Sequence, residues 1–121
     1  MRIVTLGFIL LASSAVAQDG FRDTDLRLSK DELTTYLSGQ VLSFYNDGIS
    51  TYQADGVFTY QYSADGNKVP GTYEVMDDSS VCTVFSNGFE RCDYIVQAGT
   101  RYVLIVEDGD RYPVKARAAI Q

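Results

Sequence analysis

The sequence contains no histidine and only two cysteines. The absence of histidine removes the commonest general base and the commonest metal ligand. The serines have no Gly-x-Ser-x-Gly motif, and the carboxylates, scattered over turns, match no calcium-binding loop. We therefore expect no catalytic residue, no metal site and no cofactor, and a protein that is not an enzyme. A carboxylate pair drawn from Glu74, Glu90 and Glu107 is the catalytic alternative that stays open.

The first 17 residues have the parts of a secretory signal peptide. Arg2 supplies the positive start, residues 3–12 are mostly apolar, and Ala15-Val16-Ala17 is a small-x-small cleavage site. The apolar run is shorter than the roughly 20 residues that span a membrane, and Gln18 stands where a lipoprotein needs cysteine. We expect cleavage near Ala17–Gln18, a periplasmic or secreted protein, and no membrane span in the mature chain.

The mature part is one domain in length and is acidic. Removal of Arg2 with the signal peptide reduces the 10 basic residues to 9, which against 16 acidic residues gives a net charge of −7. This charge argues against nucleic acid as a partner. It favours solubility or, as an alternative, a basic protein partner. Residues 18–28 are polar and predict a flexible arm, and residues 29–121 predict a single β domain.

One helix and a series of strands are expected. A capping box at Ser29–Glu32 and a stop at Gly39 predict a short N-terminal helix over residues 30–38. After Gln40, aromatic and β-branched runs alternate with Asn-Gly and Asp-Gly turns about every 8 to 12 residues. The fold class is therefore all-β, an antiparallel meander or small barrel of seven or eight strands. The run Tyr102–Val106 does not alternate and predicts a strand covered on both faces, with the helix as one candidate cover.

Cys82 and Cys92 are expected to form a disulfide, since an even pair in an exported chain favours one. A hairpin turn at residues 86–88 places the two cysteines directly opposite each other on adjacent strands. A redox pair or two free thiols are the alternatives, although a redox pair usually shows Cys-x-x-Cys.

All nine tyrosines lie in the mature part. Five of them crowd into the first half of the expected sheet, and tyrosine suits a pocket because it joins an apolar body to a polar tip. Packing of the core and sheet surface is the alternative explanation. The candidate pocket residues are Tyr45, Tyr52, Tyr60, Tyr62 and Tyr73.

The stretch from Leu28 to Pro113 resembles small secreted bacterial β-sheet proteins of unknown function. The matching features are a short helix that ends at Gly39, an Asp-Gly hairpin, a Gly-Thr-aromatic strand and two cysteines. This resemblance implies a lipocalin-like meander and brings no known activity, and Tyr73 stands where many relatives have tryptophan. A looser class analogy joins the chain to periplasmic inhibitors of lysozyme, although their Ser-Gly loop is missing here.

Together these features predict an exported, non-enzymatic binding or structural module of the bacterial envelope. The partner that we expect is a small amphipathic ligand. The alternative is an acidic protein-interaction module, or an inhibitor of a basic enzyme such as lysozyme.

Overall fold

The computed structural model describes residues 20–121, and the expected signal peptide lies outside this part of the chain. These residues form nine strands and one helix. In chain order the elements are β1 (Leu26–Arg27), α1 (Lys30–Leu37), β2 (Gln40–Phe44), β3 (Ile49–Tyr52), β4 (Val57–Gln61), β5 (Lys68–Val75), β6 (Val81–Phe85), β7 (Glu90–Ala98), β8 (Arg101–Ile105) and β9 (Arg111–Ala119).

The strands close into a barrel. Each strand from β2 to β8 pairs antiparallel with the next one in sequence, and β9 pairs with β2 to close an eight-stranded barrel. The additional strand β1 pairs with β7. The predicted all-β antiparallel meander is therefore confirmed in its closed form. The helix is not the N-terminal element that we expected, because β1 precedes it.

The helix begins at the predicted capping box. Ser29 Oγ accepts a hydrogen bond from the backbone N–H of Glu32, and Glu32 Oε1 accepts one from the N–H of Ser29. These bonds satisfy two donors that a helix start leaves without intrahelical partners. The apolar face of α1 is buried in the main core. The helix ends at Leu37, and Gly39 follows with a positive φ of 73° that turns the chain into β2.

The β6–β7 hairpin has the register that the cysteines imply. Phe85 donates its backbone N–H to the carbonyl of Phe89 across a three-residue turn, and Cys82 lies directly opposite Cys92. The two sulfur atoms form a disulfide, and the Cα atoms are 4.0 Å apart. The expected pairing is therefore confirmed. The odd turn length is the physical reason, since an even turn would displace one cysteine by one position.

The core fills the part of the barrel next to the helix. Tyr52 and Phe58 are almost completely buried, with ring centroids 4.9 Å apart. Phe58 also packs edge-on against Phe85 at 5.7 Å, and Gly71 lies between them in the strand register. A Cβ atom at Gly71 would lie 2.4 Å from a backbone oxygen of β6. Glycine is therefore the residue that lets β5 and β6 approach so closely.

The non-alternating strand β8 is covered on both faces. Leu104 belongs to the interior core, while Val103 and Ile105 form a second cluster outside the barrel with Val96 and Phe21. The outer cover is therefore the segment that precedes the helix and not the helix itself.

The segment that precedes the helix, which we expected to be a loose arm, makes specific contacts in its described part. The Asp25 carboxylate accepts hydrogen bonds of 2.6 and 3.1 Å from Arg111, and both side chains are largely buried. The guanidinium of Arg27 lies 4.3 Å from the ring centroid of Tyr94. These contacts, together with β1, hold residues 20–28 against β7 and the start of β9.

We expect reduction of the Cys82–Cys92 disulfide to lower the free energy of unfolding by about 2 to 3 kcal/mol, because the reduced chain regains loop entropy when unfolded. Urea unfolding with and without a thiol reductant measures this change. The double variant Cys82→Ala/Cys92→Ala is the control, and it should unfold identically under both conditions. Equal stability of the oxidised and reduced wild type would contradict this role.

Candidate functional site

The two ends of the barrel are filled differently. The apolar face of α1 packs into one end. At the other end, residues from the turns 45–48, 62–67, 86–89 and 106–110 surround a cavity of about 510 Å³. A cavity of this size at the mouth of a β-barrel falls in the range of small-ligand sites. This open end is therefore the candidate site.

Aromatic rings make up much of the cavity wall. Tyr60 and Tyr62 meet edge-on with centroids 5.0 Å apart, and Phe85 and Phe89 lie 5.8 Å apart. Tyr62 and Phe89 are 72% and 57% exposed, which places them at the rim. Rings of this kind offer large apolar contact surfaces at little entropic cost. The aromatic lining residues are Phe44, Tyr60, Tyr62, Phe85, Phe89 and Tyr112, and the polar ones are Asn46, Ser50, Asn87, Arg91 and Asp108.

The structure brings two of the five candidate tyrosines into the cavity wall, namely Tyr60 and Tyr62. Tyr52 is almost completely buried and packs edge-on against Tyr73 at 5.0 Å, so both belong to the core. The hydroxyl of Tyr73 donates to the carbonyl of Gln53 at 2.6 Å. Tyr45 is 58% exposed and contacts the guanidinium of Arg101. The tyrosines therefore divide between cavity, core and surface.

A charged pair that the sequence analysis missed lies inside the barrel. Arg91 and Asp93 are two residues apart on β7 and therefore share its inward face. Arg91 Nε is 2.8 Å from Asp93 Oδ1 and donates a hydrogen bond of 3.0 Å to Oδ2. The Asp93 side chain is fully buried, while that of Arg91 is 28% exposed and lines the cavity. Within residues 20–121, Asp93 Oδ1 accepts no hydrogen bond.

The hairpin register contains the signal that could have found this pair. Arg91 lies directly opposite Thr83, and Thr83 shares its strand face with Val81 and Phe85. Residues that face each other across two strands point to the same side of the sheet. The apolar neighbours of Thr83 therefore mark that side as the interior, and Arg91 as an inward charge.

Burial controls the protonation of this region. It raises the pKa of the Asp93 carboxyl to about 6, because the loss of hydration outweighs the attraction of Arg91. Burial also raises the pKa of Tyr60 and of Tyr52, so both hydroxyls stay neutral at physiological pH. An ionised Asp93 therefore lowers the stability of the fold near neutral pH. A buried pair of this kind is weak evidence for a stabilising role and suggests a functional one.

A second depression lies beside the helix. It measures about 670 Å³ and is more open to solvent than the barrel mouth. The guanidinium that lines this groove belongs to Arg117. It donates to the carbonyl of Tyr36 at 2.9 Å and lies 4.6 Å from the centroid of the Tyr36 ring. Glu32 is engaged in the capping box. Because its guanidinium is already engaged and the groove is more open to solvent, it offers less to a ligand than the mouth does.

The carboxylates considered for catalysis do not gather in the cavity. Glu74 and Glu90 are exposed on the outside of the barrel, and Glu107 accepts a 2.6 Å hydrogen bond from the backbone N–H of Cys92. Within residues 20–121, no three metal-ligating side chains come together. No helix in that part of the chain is long and apolar enough to cross a membrane.

Comparison with known proteins does not assign this chain to a family. No protein-family model matches the sequence, no curated protein matches it, and no solved structure matches it. The resemblance to small secreted β-sheet proteins therefore stays a prediction, and the site rests on its own geometry.

Asp93→Asn tests the cost of the buried charge. In the native state the Asp93 carboxyl stays largely protonated from pH 5 up to its pKa, about one pH unit higher. In the unfolded chain the same carboxyl is already ionised at pH 5. Wild-type stability should therefore fall by about 1 to 1.5 kcal/mol, relative to the variant, from pH 5 to pH 8. Urea unfolding at both pH values measures this difference.

Glu90→Gln is the matched control for that measurement. Glu90 is exposed on the outer face of the same strand, so its effect should stay within about 0.5 kcal/mol at each pH. If the wild type instead gains stability relative to Asp93→Asn between pH 5 and pH 8, the attraction of Arg91 for the Asp93 carboxylate outweighs its loss of hydration.

Proposed function

We propose that this protein is an exported, non-enzymatic binding module of the bacterial envelope, which takes a small amphipathic ligand into the open end of its barrel. The observation that carries this proposal is the cavity of about 510 Å³ with aromatic walls and a few converging polar groups. Ligand sites are typically concave, largely apolar and fitted with a small number of placed polar side chains.

The contrast between the two ends of the barrel supports the proposal. At one end the helix residues Leu33, Tyr36 and Leu37 are buried in the core. A barrel that needed only stability would gain from the same filling at its mouth, because burial of the apolar wall would be stabilising. Tyr62 and Phe89 instead stay exposed at the rim, where a bound ligand would cover them.

The disulfide supports export. Such bonds persist in oxidising compartments, including the periplasm and the extracellular space. The Cys82–Cys92 bridge joins two neighbouring strands of the barrel and stands next to the cavity wall at Arg91. It agrees with the signal peptide that the first 17 residues predict.

Val69→Trp should block the cavity, because Val69 lies in its wall and the indole would occupy ligand volume. The uncharged amphipathic dye N-phenyl-1-naphthylamine is a suitable probe, with binding followed by its fluorescence. We expect saturable one-to-one binding to the wild type, and an affinity at least about tenfold weaker for the variant, equal to about 1.4 kcal/mol.

Val84→Trp provides the control. Val84 is 44% exposed on the outer face of the adjacent strand β6, so it adds the same indole without entering the barrel. It should bind the dye within about twofold of the wild type. Equal binding by both tryptophan variants, or no saturable binding by the wild type, would defeat the proposal.

Recognition of a basic protein is the second candidate. The four turns around the mouth carry five carboxylates and neither lysine nor arginine. Such a rim would steer a cationic partner towards the mouth. We expect binding to lysozyme at low ionic strength that weakens as salt rises, as measured by calorimetry. Absence of binding at low salt would eliminate this inhibitor hypothesis. The five carboxylates are Asp47, Asp65, Glu107, Asp108 and Asp110.

A further inference from the structure

The guanidinium of Arg91 has hydrogen-bonding capacity that the fold does not use. Arginine has five N–H donors. Within the described residues, Arg91 Nε donates to Asp93, and no hydrogen bond involves either of its Nη atoms. Neither Nη atom is fully buried, since Asp93 Oδ1 is the one fully buried side-chain N or O atom without a partner in residues 20–121. Because Arg91 lines the cavity, these donors are available to a ligand.

The buried carboxylate holds this guanidinium in place. Asp93 is fully buried and binds Nε, so it restrains the planar group from behind and leaves the opposite edge free. An edge that carries two nitrogen atoms matches the two oxygen atoms of a carboxylate or a phosphate. Restraint before binding also reduces the entropy that a ligand would cost. Asp93 is therefore a positioning residue for Arg91.

The burial of the Arg91 side chain indicates how a ligand would lie in the cavity. The Arg91 side chain is 28% exposed, whereas the rim residues Tyr62 and Phe89 are 72% and 57% exposed. Ser50, which also lines the cavity, is 3% exposed. Arg91 and Ser50 therefore place polar groups below the rim rings Tyr62 and Phe89, in a part of the wall that also contains the buried rings of Phe44 and Phe85.

From this arrangement we infer that the cavity selects amphiphiles with an anionic oxygen head group, a carboxylate or a phosphate, which enters first and binds the two Nη atoms of Arg91. The apolar tail then lies between the aromatic walls and reaches the rim. This inference rests on the proposed function, because it names the class of ligand for the same cavity.

The acidic rim does not reverse this preference. Its carboxylates stand on exposed turns, where physiological salt screens charge beyond about 8 Å. Asp108, the one that lines the cavity, already accepts a hydrogen bond from the N–H of Asp110. Contact with a partly buried guanidinium is screened much less, and charge-assisted hydrogen bonds are about twice as strong as neutral ones. The local contact therefore outweighs the field of the rim.

A series of ligands with one tail and different heads tests the inference on the full mature protein. Calorimetry at pH 7.5 compares decanoate, decyl phosphate, decanol and decyltrimethylammonium. We expect decanoate, decyl phosphate or both to bind at least about tenfold more tightly than decanol, equal to about 1.4 kcal/mol. We expect the cation to bind more weakly than decanol. The two anionic arms distinguish a carboxylate ligand from a phosphate ligand.

Substitution of the guanidinium should remove that preference. In Arg91→Met the anions should bind within about twofold of decanol, since the donors are gone. Because this change leaves Asp93 buried without its partner, Arg91→Met/Asp93→Asn serves as a second variant with no stranded charge. Lys68→Met is the matched control, because it removes one positive charge from the exposed outer face of β5.

The outcomes distinguish a failure of the proposed ligand binding from a failure of the head-group preference. If none of the four ligands binds, the proposed function itself fails. If decanol binds as tightly as both anions, or the cation binds best, the cavity is a ligand site but Arg91 does not select the head group. If Lys68→Met abolishes the preference as Arg91→Met does, overall charge and not the guanidinium controls selection.

Discussion

The closure of eight strands into a barrel is the constraint on which the rest of this structure depends. Once β9 pairs with β2, every second side chain points into a space that holds either packed side chains or one small ligand. The helix and the aromatic core fill that space at one end. At the other end the wall residues leave a cavity of about 510 Å³ between them. The proposed site is therefore the part of the interior that the sequence leaves unfilled.

The same closure places a charged pair where an apolar pair is often as stable or more stable. Arg91 and Asp93 face inward because β7 alternates, and Asp93 loses nearly all contact with water. Its raised pKa shows that the attraction of Arg91 does not fully offset that loss. In the proposed site, the buried Asp93 carboxylate orients the Arg91 guanidinium so that its two Nη atoms can bind a ligand. The stability lost by burying the carboxylate is the cost of holding the guanidinium in one orientation.

Local signals predicted the local structure well. The capping box at Ser29–Glu32 and the register of Cys82 with Cys92 depend on residues close in sequence, and both are confirmed. The site was harder to predict. Of the five candidate tyrosines only Tyr60 and Tyr62 line the cavity, because tyrosine suits core, surface and pocket alike. The helix was one candidate for the cover outside β8, whereas residues before the helix provide it.

The sequence by itself determined the fold class, the helix, the disulfide and the spacing of the turns, since each depends on alternation or on contacts within a few residues. Tertiary structure alone decided which end of the barrel stays open, which tyrosines meet at that end and which nitrogen atoms of Arg91 have no hydrogen-bond partner among residues 20–121. Those features depend on strands far apart in sequence, such as β2 with β9. Their relative positions are set only when the barrel closes, and no local pattern records them.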